Sequence, residues 1–236
     1  AAFTMVTRVF RLRPGLLLAI CLLCAACTVC LHTLASGTVK DRPVIILDAG
    51  HGGVDPGAVS SDGVSEKDIN LSIVLKLRDM LETAGSDVVL TRDKDCSLHD
   101  PQYQSISRIK TSDLKNRLKI MDQYPDALVV SVHQNFFAES KYSGAQMFAG
   151  PQNAESQRLA EALQQSFCTY LQPDNTREVK TATKDVYIIY YAQNPTVLAE
   201  CGFLSNSEEC AKLKTDAYQT QVALILFQGI LQYTAE

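Results

Sequence analysis

PVIILDAGHGG, residues 43–53, runs from an apolar, β-branched stretch into Asp48 and then sets His51 among glycines. An apolar run this short, rich in Val and Ile, reads as a strand buried in a sheet. A histidine delivered from such a strand into a loop of Gly50, Gly52 and Gly53 has little side chain around it. Those glycines let the backbone turn sharply and let another group come close.

The segments that follow alternate in character. SEKDINLSIVLKLRDMLETAG (65–85) has helical periodicity, with Ser65 as N-cap and Gly85 at its end. DVVLT (87–91) reads as a strand, SDLKNRLKIMDQY (112–124) as a helix, and ALVVSV (127–132) and GAQMFAG (144–150) as strands. QNAESQRLAEALQQSFCTYL (152–171) reads as a helix, VYIIY (186–190) and TVLAE (196–200) as short strands, and 207–232 as a closing helix. Such alternation predicts an α/β sheet with helices on both faces. No internal repeat or low-complexity tract interrupts it.

The chain has 236 residues, 46% hydrophobic and 20% charged, enough for one sizeable domain and an appendage. A formal net charge of -4 gives no electrostatic sign of a nucleic-acid partner. Met5 reads as the natural start, and Arg8, Arg11 and Arg13 precede the apolar run LLLAICLLCAACTVCLHTLAS (16–36). That run has the length of a transmembrane helix. Basic residues before it predict a single-pass anchor at the cell membrane with the rest of the chain extracytoplasmic. A cleaved signal, with Ala35, Ser36 and Gly37 at the cut, is the rival reading, and it exports the domain equally. The organisation expected is an anchor or signal over 1–36, a linker over 37–42 and one folded domain over 43–236.

Cys21, Cys24, Cys27 and Cys30 lie in the apolar run, where their spacing is that of small residues on one helix face rather than of cluster ligands. A lipid-attachment role for Cys27 is a further reading. Cys96, Cys168, Cys201 and Cys210 are scattered; they read as thiols, and one disulfide among them stays open.

Ligands of open α/β sheets sit beyond the carboxyl ends of the strands. Three apolar strands deliver His51, His133 and Glu200 to such ends, and Glu66 opens the helix that follows the His51 loop. Two imidazoles and a carboxylate form a catalytic zinc set that leaves a position for water, and a further carboxylate there would move protons. Each residue also has a purely structural explanation. His51 is a loop histidine, Glu66 complements a helix dipole, and His133 is a bonded core histidine. Glu200 resists such an account, because burying a lone carboxylate is costly. His32 and His99 lie in the apolar run and a polar loop and are assigned no role. No Lys-Ser/Thr follows the glycines, as a phosphate loop requires, and no G-x-S-x-G elbow is present. Cys201, flanked by apolar residues, reads as an inert thiol.

LDAGHGGVDPGA, SEKDINL, VVSVHQN and TVLAECGFLSN occur in that order, with VVLTRD and SDLKNR between them. Together they resemble the zinc-dependent N-acetylmuramoyl-L-alanine amidases of bacterial cell walls, over roughly residues 43–233. The resemblance implies a single α/β domain with a mixed, six-stranded sheet. It implies zinc bound by His51, Glu66 and His133, with Glu200 as the catalytic carboxylate and Asn135 touching substrate or a metal ligand. The substrate implied is peptidoglycan, cut at the amide between the muramic acid lactyl group and L-alanine. The apolar N-terminal run, VHQN and DNTREVK (174–180) look most like the amidases of spore-forming bacteria that act on spore cortex. Gln134 and Ala199 depart from residues common in the family. An activating lipoprotein or other protein partner fits this branch. A zinc peptidase cutting within the stem peptide and a silent wall-binding module are the competing readings.

Overall fold

The structure, a computed structural model, describes residues 43–235. The expected anchor and linker lie outside the described residues, among which no helix is long and apolar enough to cross a membrane. Strand β1 is Ile45–Ala49, followed by α1 (Glu66–Thr83), β2 (Val88–Leu90), α2 (Ile106–Asp122) and β3 (Leu128–Asn135). Then come β4 (Gln146–Ala149), α3 (Glu155–Tyr170), β5 (Lys180–Thr181), α4 (Tyr187–Tyr191), β6 (Thr196–Phe203), α5 (Ser207–Leu213) and α6 (Asp216–Ala235).

The strands form one six-stranded sheet in the order β2-β1-β3-β6-β4-β5. Neighbours run parallel except β4, which is antiparallel to β6, so the sheet is mixed. Successive strand residues point to opposite faces, and both faces are buried. Ile45, Leu47 and Ala49 pack with Ile69, Ile73 and Leu77 of α1, with Leu159 and Leu163 of α3, and with Val222 and Leu226 of α6. Ile46, Val129 and Leu198 point the other way, toward Met121 of α2 and Ile188 and Ile189 of α4. Burial on both sides is why these strands are continuously apolar. In α1 the buried residues Glu66, Ile69, Asn70, Ile73, Val74, Leu77 and Leu81 follow helical spacing. A Cβ on Gly229 would fall 2.8 Å from Leu163 Cδ2, so the glycine lets α6 lie close against α3.

Several elements differ from the sequence expectation. VYIIY is not a strand: Tyr190 N bonds Val186 O at 2.9 Å and Ala192 N bonds Ile188 O at 3.0 Å, which is one helical turn and more. Periodicity cannot separate a strand from a buried turn of helix in a run this short, and the place beside β4 is taken by Lys180 and Thr181. The closing helix is two helices, since Thr215 interrupts it and its hydroxyl accepts from Tyr218 N at 3.3 Å. Helix α2 begins at Ile106, earlier than its apolar spacing indicated. Strands β3 and β6 run on to Asn135 and Phe203, so His133 lies within its strand rather than beyond it and Glu200 is not the last residue of its strand.

Candidate metal centre

The site begins with an unusual backbone. His51 has φ 61, the only positive φ of a non-glycine residue among the described residues. Two arginines hold this conformation. Arg92 Nε donates to Ala49 O at 2.8 Å, and its Nη2 donates to Gly50 O at 3.0 Å and to Lys67 O at 2.8 Å. Arg117 Nη1 donates to Ala49 O at 2.8 Å, and Nη2 donates to His51 O. Three successive carbonyls of the loop are thus bonded to guanidinium groups, and Arg92 also ties the loop to the first turn of α1.

Arg117 is buried with Asp48 at 2.6 Å and Asp113 at 2.6 Å. Thr91 and Ser131 donate their hydroxyls to the two Asp48 oxygens. Burial pushes the Asp48 carboxyl up, but the Arg117 guanidinium and these hydroxyls outweigh it and hold the group at about 2. Asp48, which ends the apolar run in the sequence, is therefore an ion-pair partner under the loop. Neither it nor the two arginines stood out as functional residues; TRD and LKNR carried the signal, because buried arginines need carbonyl and carboxylate partners.

His51, Glu66 and His133 converge, with one ligand atom from each lying within 4.8 Å of the others. Glu66 Oε2 is 3.1 Å from His51 Nε2, and Glu66 Oε1 is 2.8 Å from His133 Nδ1. The buried Glu66 carboxylate also accepts from Ala58 N at 2.9 Å, Gln134 N at 3.1 Å and Asn70 Nδ2 at 3.2 Å. Burial disfavours its charge, but the His133 and His51 rings override this and hold it well below the usual carboxylate range. Asp55 Oδ2 lies 2.9 Å from His51 Nδ1, leaving Nε2 to face Glu66. Burial opposes the charged His51 ring, yet Asp55 and Glu66 push it up to about 9. Small residues make the room: a Cβ on Gly50 would lie 2.1 Å from His133 Nε2, and one on Gly57 2.5 Å from Glu66 Oε2.

Glu200 pairs with His133 in register across β3 and β6. Its Oε2 is buried with no hydrogen-bond partner. Burial pushes its carboxyl up to about 7, against the pull of the His133 ring. His51, His133 and Glu200 line a cleft of about 310 Å³ together with residues of α2 and α4. Asn135, two residues beyond His133 on β3, is half-buried, and its backbone carbonyl accepts from Leu204 N at 2.8 Å. It does not line this cleft. His99 bonds Ser97 Oγ at 2.9 Å and stands outside the cluster. Cys96, Cys168, Cys201 and Cys210 are all free thiols.

The donor set suits a metal ion that takes imidazole nitrogen and carboxylate oxygen. The set is preorganised: Asp55 orients one imidazole, backbone amides fix the carboxylate, and strand pairing fixes His133. Beside it, Glu200 has a protonation state that changes near neutrality, as a proton carrier needs.

Residues 45–232 match the N-acetylmuramoyl-L-alanine amidase family. The germination-specific N-acetylmuramoyl-L-alanine amidase of Bacillus subtilis (strain 168) is 36% identical over 193 residues, covering 82% of this chain and 80% of that one. Among solved structures, the CwlD amidase of Clostridioides difficile in complex with the GerS lipoprotein superposes with a TM-score of 0.79 at 41% identity, over 82% of this chain and 99% of that one. The N-acetylmuramoyl-L-alanine amidase of Clostridium difficile 630 superposes with a TM-score of 0.70 at 27% identity, over 84% and 99%.

Proposed function

The chain belongs to the N-acetylmuramoyl-L-alanine amidase family, and from that premise we propose that it hydrolyses the amide between the muramic acid lactyl group and L-alanine in peptidoglycan, with zinc held by His51, Glu66 and His133. The observation that carries this reading is the convergence of those three side chains within 4.8 Å beside a buried Glu200 oxygen without a partner. Two imidazoles and one carboxylate are the donors of catalytic zinc sites that keep a position open. When bound, zinc polarises the amide carbonyl and acidifies a water molecule.

The chain's own residues supply the rest. Glu200 accepts a proton from the attacking water and passes it to the nitrogen of the departing L-alanine. Its carboxyl, poised at about 7, is suited to both transfers. Asp55 holds the His51 ring in the orientation that presents Nε2, as carboxylates commonly do for metal-binding histidines. Arg92 and Arg117 keep the His51 loop from relaxing toward a negative φ.

The biological setting we propose is spore cortex, with the N-terminal apolar segment anchoring the enzyme at the membrane and the catalytic domain outside. The likeness to a germination-specific relative at 36% identity supports the cortex role. The likeness to an amidase solved with a lipoprotein bound supports a protein partner of that kind. Incubating the protein with purified peptidoglycan, with and without zinc, and identifying products by mass spectrometry tests the reading. Stem peptides beginning at L-alanine, lost on chelation, are expected. Cleavage inside the stem peptide would make the enzyme a peptidase instead.

A further inference from the structure

The cleft holds more chemistry than the candidate metal set uses. Beside its polar groups the cleft has an apolar lining, formed by Ile109, Leu114, Val186, Ile188 and Leu198, and Lys110 opens into it. Lys110 Nζ lies 2.8 Å from Asp55 Oδ1, and its side chain is 47% exposed. An ammonium group has three donors; Asp55 accounts for one, so two remain for another acceptor. Asp55 itself is fully engaged, by His51 Nδ1, Gly57 N and Lys110. Of the other acids along the cleft, Asp113 is paired with Arg117, and Asp185 is exposed and accepts from Thr183 Oγ1 at 3.3 Å.

The spacing gives this cation a meaning. Between His51 Nδ1 and Lys110 Nζ stand only two hydrogen bonds and the Asp55 carboxyl group. His51 Nε2 faces the candidate metal set on the other side of the ring, so Lys110 stands one carboxyl group beyond the set and in the same cleft as Glu200. A peptide whose scissile amide sits beside Glu200 and continues along the cleft meets both the apolar residues and this cation.

We propose that Lys110 is a specificity-determining residue that recognises a carboxylate on the peptide residue following the scissile alanine. The apolar wall formed by Val186, Ile188 and Leu198 takes the alanine methyl group. This inference rests on the amidase reading and names which stem peptides the same site prefers.

Two soluble muramoyl peptides that differ only at the second residue, one with a carboxylate and one with the carboxamide, test it. The zinc-loaded full-length chain is expected to favour the carboxylate by roughly tenfold in kcat/KM, carried by KM, as one charge-assisted hydrogen bond predicts. In Lys110→Met the ratio between the two substrates falls toward one, and Lys110→Arg retains it. Calorimetric binding of the same two peptides to the Glu200→Gln protein should give the same preference without turnover. A wild-type ratio of one, or a ratio that Lys110→Met leaves intact, overturns the proposal and leaves Lys110 as a partner of Asp55 alone. Failure of the wild type to release peptide from either substrate would instead overturn the amidase reading, and this one with it.

Discussion

Glu200 and His133 are direct partners in the pairing of β6 with β3, so the proposed proton carrier and a candidate metal ligand project from adjacent strands on one face of the sheet. Strand pairing sets their separation, and neither side chain depends on a loop for its position. Glu200 makes no hydrogen bond through Oε2, while Glu66 is saturated by backbone and side-chain donors. The two carboxylates therefore divide their work by environment: one is held charged, the other is free to change.

Glu200→Gln should lower turnover by about 10²–10⁴ while zinc affinity, measured by competition with a chelating dye, changes little. A matching loss of zinc affinity would make Glu200 a ligand rather than a proton carrier.

Gly50→Ala should abolish zinc binding while the far-UV circular dichroism stays native. The added Cβ would fall 2.1 Å from His133 Nε2, so the ring must leave its place. Wild-type zinc affinity in this variant would show that His133 is not a ligand.

Arg117→Met should cost on the order of 3–5 kcal/mol in urea unfolding, because it leaves Asp48 buried and unpaired. Adding Asp48→Asn should recover part of that loss. If the two substitutions are instead additive, Asp48 and Arg117 do not support one another.

Stability should fall at acid pH through the same pair. The folded Asp48 carboxyl is held at about 2 against its ordinary value of 3.8, so it stabilises the fold above about 4 and loses that contribution as the pH drops toward 2. Arg117→Met removes the strongest group that opposes burial at Asp48, and the acid limb of the stability curve should move to higher pH. Coincident acid limbs for the two proteins would refute the assignment.

Zinc at a hundredfold excess over its dissociation constant should stabilise the wild type by about 2.7 kcal/mol, read as a rise in thermal midpoint that chelation reverses. His51→Ala should not show the rise.

Much of this molecule was legible from local pattern. The strand at 43–48, the helix after the glycines and the alternation that follows were readable because burial on both sheet faces leaves unbroken apolar runs. His51, Glu66, His133 and Glu200 stood out because each is polar at the edge of an apolar segment. VYIIY was misread because a short apolar run has no period to read, and β5 was missed because two residues are too few.

What only the tertiary structure decided is which distant groups meet. Asp48 and Arg117 are 69 positions apart, and Arg92 reaches Gly50 across 42. The sequence shows that such charges exist and that, if buried, they need partners; chain folding alone selects the partners. The left-handed His51, the guanidinium groups that hold its loop and the Lys110 ammonium group in the cleft follow from that selection. Side-chain type is written locally, whereas distance and burial are properties of the packed chain.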